Sequence, residues 1–175
     1  APENTKSLLT WLEDKKKRVI NNSRALELEI SKKEQYKELK KFNIKFPKTY
    51  YANTKKEIIE KSKKFDKQFI TKHNRGGKGL GVKYFKNTLD LEKYVNESFE
   101  ESVDGITLLQ EYINSDPKVI TRVEFVKGKF LYAVQVDASN GFELCPADSC
   151  NTGEKFCPTN PDGNKFMIIK DYKNI

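Results

Sequence analysis

Hydrophobic and polar residues alternate with helical spacing over much of the first half of the chain and with strand spacing over the second half. Two of the helical stretches begin with a capping box, because Ser31 and Thr54 are each followed three residues later by a glutamate. Asn43 ends the first of these stretches, and Pro47 keeps the following segment extended. The pattern predicts four helices: residues 7–19, residues 31–42, one after Thr54, and one capped by Asn87 or Thr88.

Short runs of β-branched and aromatic residues, bounded by glycine, proline and asparagine, predict the strands. They cover residues 44–51, 68–72, 81–85, 106–113, 118–126, 129–136 and 166–169. Lys127 and Gly128 join two of them as a tight hairpin, whereas residues 145–164 read as loop. Helices mixed with hairpin-linked strands favour an α+β fold over a doubly wound parallel sheet.

One stretch combines a glycine-rich loop with positive charge: QFITKHNRGGKGLGVKYF, residues 68–85. It is predicted to form a strand, a loop and a second strand. Glycines leave room for backbone N–H groups to approach an anion, and the cations of the stretch surround them. The loop therefore has two interpretations, a cover over phosphate groups or a flexible hairpin tip with solvated lysines. The residues concerned are Lys72, Arg75, Gly76, Gly77, Lys78, Gly79 and Gly81.

Composition narrows the class of protein only slightly. The 175 residues carry a formal net charge of +8, with 37% hydrophobic and 33% charged residues. The positive charge permits anionic partners, but the lysines alternate with acidic residues along the whole chain and can reflect compositional bias. No apolar run approaches the length of a membrane helix, so no membrane partner is expected. The N-terminus has neither an initiator Met nor the apolar core of a secretory signal, which indicates a processed or trimmed chain.

The cysteines indicate the compartment. Cys145, Cys150 and Cys157 are odd in number and follow no secretion signal, which argues against a disulfide framework and for a reducing, cytoplasmic setting. Their C-x4-C-x6-C spacing is not a recognised zinc pattern, and the single histidine, His73, lies far upstream. No metal-ligating residue is assigned.

Three motifs in order resemble the ATP-grasp superfamily, and most closely its RimK-like branch of ligases that attach glutamate to a peptide or protein. They are SKKEQYKELKKFNIKFPKTY at residues 31–50, FITKHNRGGKGLGVKYF at 69–85 and LLQEYI at 108–113. The resemblance covers roughly residues 20–145 and rests on the combination and its spacing, since no motif is specific alone. It implies a small α+β lobe with a glycine-rich hairpin, followed by part of an antiparallel β-sheet lobe. The expected divisions are residues 1–30 (helix and linker), 31–110 (small lobe) and 111–175 (partial C-terminal lobe).

The resemblance also implies roles for individual residues. Lys32 matches the first phosphate-binding lysine, with Lys33 as the alternative, and Lys72 matches the second. Lys72 and Arg122 are the catalytic candidates. Asp116 would bind the ribose hydroxyl groups. The remaining cofactor-binding candidates are Gly76, Gly77, Lys78, Gly79 and Gly81 over the phosphates, and Glu111, Tyr112 and Ile113 at the strand that holds adenine.

The sequence departs from the family pattern in ways that bear on catalysis. Asn43 replaces a glycine, His73 replaces a proline, and Ile120 stands where an aspartate is common. The acidic strand and Glu-x-Asn motif that hold Mg²⁺ in the family have no match, because Asp171 and Asn174 are wrongly spaced. The chain is therefore expected to stop before the metal-binding segment.

The predicted function is the ATP-binding part of an ATP-dependent carboxylate–amine ligase that acts through an acyl phosphate, with glutamate ligation as the specific case suggested by the branch. ATP and Mg²⁺ are the implied cofactors, and the acceptor is not identified. Two alternatives remain: a non-catalytic module that binds nucleotide or another polyanion, and a basic RNA-interaction domain. The +8 charge motivates the last, but no aromatic-rich strand of the RNA-reading kind is present, so nucleic acid is not a favoured partner.

Overall fold

A computed structural model describes residues 2–77, 79, 81–116, 118–138 and 166–172. Within these residues no helix has both the length and the apolar character needed to cross a bilayer. Five helices are described: α1 (Pro2–Asp14), α2 (Ser23–Ile30), α3 (Lys32–Lys41), α4 (Lys55–Ser62) and α5 (Thr88–Glu97). Seven strands are described: β1 (Thr49–Ala52), β2 (Phe69–His73), β3 (Lys83–Phe85), β4 (Thr107–Glu111), β5 (Val119–Val126), β6 (Lys129–Asp137) and β7 (Phe166–Ile169).

The strands form two antiparallel sheets, which confirms the α+β prediction. The first sheet has the order β1-β4-β2-β3, and the second has the order β5-β6-β7. In the first sheet, β4 pairs with both β1 and β2, so that Gln110 lies opposite Thr49 on one side and Ile70 on the other. β2 and β3 form the predicted hairpin on either side of the glycine-rich loop. The loop is thus attached to an inner strand of the first sheet.

The chain divides into two compact units. Unit 1 comprises Ala1–Gly76 and Gly81–Tyr112, and unit 2 comprises Gly77–Leu80 and Ile113–Ile175. Unit 1 therefore contains all five helices and the first sheet, and unit 2 contains the second sheet.

The core of unit 1 lies on one face of its sheet, where α4 and α5 pack. Its buried members are Ala52, Ile58, Phe69, Phe85, Leu91, Val95 and Leu109. The predicted apolar stripe of α4 is present, with Ile58 and Ser62 buried and Ile59 and Phe65 packed beside them. Side chains alternate between the two faces of a sheet, so neighbouring positions on these strands point to the opposite face.

Helix caps account for the starts of α3, α4 and α5. Ser31, Thr54 and Asn87 each accept a hydrogen bond from the backbone N–H three residues on, as their sequence positions predict. Asn43 adopts φ 54° and lets the N–H of Ile44 reach the carbonyl of Leu39, which ends α3 in a Schellman motif.

The first two helices differ from the prediction over residues 7–19. α1 begins at Pro2, because the first position of a helix needs no N–H donor, and it ends at Asp14. Lys16 has φ 55°, and the N–H of Lys17 reaches the carbonyl of Leu12, so a second Schellman motif stops the helix. α2 was not predicted and starts where the Asn22 side chain accepts a hydrogen bond from the N–H of Ala25.

Arg24 joins α2 to α3. Its guanidinium group lies 2.5 Å from a carboxylate oxygen of Glu27 and 2.5 Å from one of Glu38. Both carboxyl groups have pKa values below the usual range because hydrogen-bonded cations surround them. Lys6 on α1 binds Glu27 as well. The three N-terminal helices are therefore linked by charge on a solvated surface.

In unit 2, β5 and β6 form the predicted hairpin. Lys127 and Gly128 both have positive φ values, 51° and 73°, as a two-residue type I′ turn requires. The strands shift register between Glu124 and Phe125. Cys145, Cys150 and Cys157 lie outside the described residues.

Candidate functional site

The two predicted phosphate-binding lysines come together in unit 1. Lys32 is the first residue of α3 and Lys72 lies in β2. Burial lowers the pKa of Lys32, the positive charge of Lys72 lowers it further, and Asp104 and Glu29 oppose the shift. Two ammonium groups close enough to interact repel each other, and an anion placed between them would relieve that repulsion. The pair is therefore suited to hold a phosphate group.

The structure distinguishes Lys32 from its neighbour. The ammonium group of Lys32 donates a hydrogen bond to the carbonyl of Gly76, at the start of the glycine-rich loop. Lys33 is exposed, and its ammonium group lies 6.0 Å from the centroid of the Tyr51 ring. Lys32, rather than Lys33, thus contacts Gly76.

Lys72 is held by side chains that the sequence motif did not indicate. Its ammonium group lies 3.4 Å from the hydroxyl oxygen of Tyr36, which also accepts a hydrogen bond of 2.9 Å from the Gln110 amide. The same amide donates to the hydroxyl group of Thr49 over 2.7 Å. Tyr36 lies four residues after Lys32, on the same side of α3. One helix face therefore carries the first lysine and contacts the second.

These groups share the sheet face opposite the helical core. Ile70 lies opposite both Tyr84 and Gln110, and alternation places Lys72 and Tyr112 on that face too. The rings of Tyr84 and Tyr112 meet edge to face with centroids 5.1 Å apart. The face thus runs from ammonium groups at one end to an aromatic surface near the end of β4.

The glycine-rich loop needs glycine at specific positions. Gly79 and Gly81 have φ values of 83° and 71°, which side chains rarely adopt. A Cβ atom on Gly81 would lie 3.2 Å from the His73 ring, whose Nε2 lies 3.0 Å from the carbonyl of Glu100. At Gly77 a Cβ would meet nothing within 4 Å. Lys78 lies outside the described residues.

The end of β4 is bonded on both sides. The N–H of Glu111 donates to the carbonyl of Lys48, and its carboxylate accepts from the Lys48 N–H over 2.9 Å. The N–H of Tyr112 donates to the carbonyl of Gln68 over 3.1 Å. The Glu111 carboxylate thus stabilises the strand end, and Ile113, which is exposed, begins unit 2.

Three other charged residues predicted to lie at the site are Arg75, Arg122 and Asp116. Arg75 binds the carboxylate of Glu3 on α1 over 2.6 Å. Arg122 is exposed in the second sheet. Its guanidinium group lies 3.0 Å from a carboxylate oxygen of Glu124, and the two residues form a surface ion pair. Asp116 is an exposed residue of unit 2. Arg122 and Asp116 thus belong to unit 2, whereas Lys32 and Lys72 belong to unit 1.

The start of α3 is anchored by Asn74, which follows β2 directly and is 3% exposed. Its carbonyl accepts from the Lys32 N–H and its amide oxygen accepts from the Lys33 N–H over 2.8 Å. The Glu34 N–H donates to Ser31, the N-cap. The first N–H groups of α3 are thus already bonded within the protein, which leaves the Lys32 side chain, rather than the helix end, as the group available to an anion.

Asp104 completes this network. Its carboxylate accepts from the Asn74 amide over 2.6 Å, from the Ser102 hydroxyl over 2.7 Å and from the Ile106 N–H over 3.3 Å. Burial alone would raise the pKa of Asp104, but these hydrogen bonds together hold the pKa below its usual value. Asp104 is therefore a stable anion next to the lysine pair.

The described residues do not fit a magnesium site by themselves. Among them, no group of three or more His, Cys, Asp or Glu side chains is arranged to hold a metal ion. Magnesium prefers oxygen ligands, chiefly carboxylates and phosphates.

Comparison with known proteins identifies the fold. No family model and no curated protein sequence matches the chain. Solved structures do. D-alanyl-alanine synthetase A from Vibrio cholerae superposes with a TM-score of 0.58 at 12% identity, over 88% of this chain and 44% of its own. A RimK-domain ATP-grasp protein from Sphaerobacter thermophilus gives a TM-score of 0.59 at 13% identity, over 80% and 53%.

A D-alanine–D-alanine ligase from Helicobacter pylori is also similar, with a TM-score of 0.54 at 19% identity, over 87% of this chain and 47% of that one. The resemblance to the ATP-grasp fold is thereby confirmed. This chain spans about half the length of the solved structures that it matches.

Proposed function

We propose that this chain is the ATP-binding part of an ATP-dependent carboxylate–amine ligase that acts through an acyl phosphate. The observation that carries the proposal is the convergence of Lys32 and Lys72 beside the glycine-rich loop, within a fold shared with ATP-grasp ligases. The charges of Lys32 and Lys72 repel each other in the ligand-free site, and a bound polyphosphate would relieve that repulsion.

In the proposed complex, Lys32 and Lys72 bind phosphate oxygens as point charges, and N–H groups of Gly76 to Gly81 cover the β- and γ-phosphates. Tyr36 orients Lys72, because its hydroxyl oxygen lies 3.4 Å from the ammonium group. Phosphate binding would raise the pKa of Lys32 back toward that of a free lysine, so that its ammonium group stays charged during phosphoryl transfer.

The other predicted site residues complete the proposal. The backbone from Glu111 to Ile113 would hold adenine, with the Tyr84–Tyr112 surface next to it. Asp116 would bind the ribose, and Arg122 would stabilise the transferring phosphoryl group. A carboxylate substrate accepts that group, and an amine then attacks the acyl phosphate and displaces phosphate. In this reaction the described residues would bind and orient ATP, which donates the phosphoryl group to the carboxylate.

ATP and magnesium are the cofactors that the fold implies, and the cytoplasm, where ATP is abundant, is the proposed location. For the substrates, we extend the proposal to glutamate transfer onto a peptide or protein, supported by the order and spacing of the three RimK-like motifs. The D-alanine ligases share the same fold, so D-alanine is the competing amino acid.

A non-catalytic nucleotide-binding module is the second candidate. The observation that favours it is that the described residues contain no carboxylate cluster for a metal. Release of ADP in the presence of glutamate and a peptide acceptor, or of D-alanine, distinguishes the ligase from the module. ATP binding without ADP release under any of these conditions would favour the module.

Calorimetry and thermal unfolding test the ATP site. ATP at about 100 times its dissociation constant should add roughly 2.7 kcal/mol of stability. Lys72→Ala should abolish most of this gain without lowering the stability of the ligand-free protein. Lys83→Ala is the matched control, because Lys83 is an exposed lysine on the neighbouring strand and pairs with Thr71, on the other face. Equal ATP responses in both variants would rule out the phosphate role of Lys72.

A further inference from the structure

We infer that Asn74 is a positioning residue for Lys32, which sets where that ammonium group lies relative to the glycine-rich loop. The inference rests on the proposed function, since it concerns how the ATP site holds its first lysine. Asn74 is separated from the N-cap of α3 by 43 positions in sequence. The sequence motif gives it no role.

Asn74 connects α3 and β2, the two elements that carry the lysines. It follows β2, two residues after Lys72, and both its carbonyl and its amide oxygen accept N–H groups from the first turn of α3. Asn74 therefore joins the start of α3 to the end of β2 through two hydrogen bonds. Lys32 and Lys72 lie at these two ends.

Asn74 has little freedom to move. Its own N–H donates to the carbonyl of Ile106 over 3.0 Å, and its amide nitrogen donates to Asp104 over 2.6 Å and to Ser31 over 3.1 Å. Its backbone and side-chain polar groups are all hydrogen bonded, and the residue is 3% exposed. A buried, fully bonded amide has one stable orientation, so it fixes the first turn of α3 rather than merely contacting it.

The hydrogen bonds from Asn74 to α3 determine where the Lys32 ammonium group lies. The ammonium group donates to the carbonyl of Gly76, two residues after Asn74. If the first turn of α3 moved away, Lys32 would leave the loop and the vicinity of Lys72 together. The affinity for phosphate groups should therefore fall, while contacts with the base and the ribose should be unchanged.

The test compares ATP with adenosine by calorimetry on the full chain. Asn74→Ala should weaken ATP binding about tenfold to a hundredfold, the loss expected for one hydrogen bond to a charged group. Adenosine affinity should change less than twofold. Asn74→Ala combined with Lys32→Ala should bind ATP no more weakly than Lys32→Ala alone, because both changes remove the same contact.

Ser62→Ala is the matched control. Ser62 is fully buried and its hydroxyl group is bonded to Thr88 and to the carbonyl of Ile59, at the core side of the sheet. It should lower stability but leave the ratio of ATP to adenosine affinity unchanged. A similar change of that ratio in both variants would show that Asn74 acts only through stability, and would overturn the inference.

If Asn74→Ala does not fold, the inference can be tested by exchanging the two hydrogen-bonded residues Asn74 and Asp104. Asn74→Asp alone places two carboxyl groups 2.6 Å apart and should weaken ATP binding. Adding Asp104→Asn restores one donor and one acceptor with the direction reversed, and ATP affinity should recover at least tenfold. A folded double variant without this recovery would overturn the inference.

A ligand-free measurement separates failure of the inference from failure of the proposed function. NMR titration of the Lys32 ammonium group should show a higher pKa in Asn74→Ala than in the parent protein, since the side chain becomes solvated. An unchanged titration would overturn the positioning role. No ATP binding by the parent protein would instead overturn the proposed function, and the NMR result would still decide the role of Asn74.

Discussion

Substituting Gly81 by alanine tests the geometry of the glycine-rich loop without any ligand. Gly81 has φ 71°, and an L-residue in this left-handed conformation costs about 1–2 kcal/mol. The new Cβ would also lie 3.2 Å from two atoms of the His73 ring, and the contact of His73 with the Glu100 carbonyl restrains that ring. The two effects together should lower the free energy of unfolding by about 2 kcal/mol.

The assay is equilibrium urea unfolding of the parent protein, Gly81→Ala and Gly77→Ala. Gly77 is the internal control, because its added Cβ meets nothing within 4 Å and its backbone is not left-handed. That change should be neutral or slightly stabilising, by up to about 1 kcal/mol. In a His73→Ala background, Gly81→Ala should lose the steric part of its effect and keep the conformational part. If Gly81→Ala is as stable as the parent protein, the described loop conformation is wrong.

Two further predictions concern other parts of unit 1. Lys16→Gly should raise the free energy of unfolding by about 0.5–1 kcal/mol, because Lys16 ends α1 with φ 55°, whereas Lys17→Gly should give no such gain in the same urea titration. Asp104 has a pKa below its unfolded value of about 3.9, so its stabilising contribution is present above pH 4 and is lost as the pH falls through the lower folded value. Acid unfolding of Asp104→Asn should therefore show a smaller loss of stability below pH 4 than the parent protein, and equal losses would contradict the depressed pKa.

The sequence predicts those helix boundaries that depend on neighbours in the chain. Ser31, Thr54 and Asn87 cap helices through an N–H only three residues away, so residue type and spacing are sufficient. Asn43 also ends α3 as predicted, because asparagine tolerates the left-handed conformation. Lys16 ends α1 in the same conformation, but lysine has no such preference, and the predicted helix consequently extended too far.

The sequence predicts a residue of the candidate site only where a recognisable motif assigns a role to that residue. The motifs predict Lys32 or Lys33 together with Lys72, but they do not indicate that Lys32 is the one that contacts Gly76. Tyr36 and Gln110 meet from positions 74 residues apart, and neither has a signal of its own. Hydrogen bonds between distant segments follow from the packing of α3 against the sheet, which local spacing does not specify.

The position of β4 limits when the first sheet can be completed. It lies between β1 and β2, yet it is the last of the four strands to be synthesised. Until the ribosome has released it, β1 has no neighbour in its sheet, and closing the contact of Thr49 with Gln110 spans 61 positions. Such distant pairing is slow compared with hairpin or helix formation. Gln110 also supports Tyr36, which contacts Lys72. A nucleotide bound by Lys72 would therefore stabilise the finished sheet and could not guide its earlier steps.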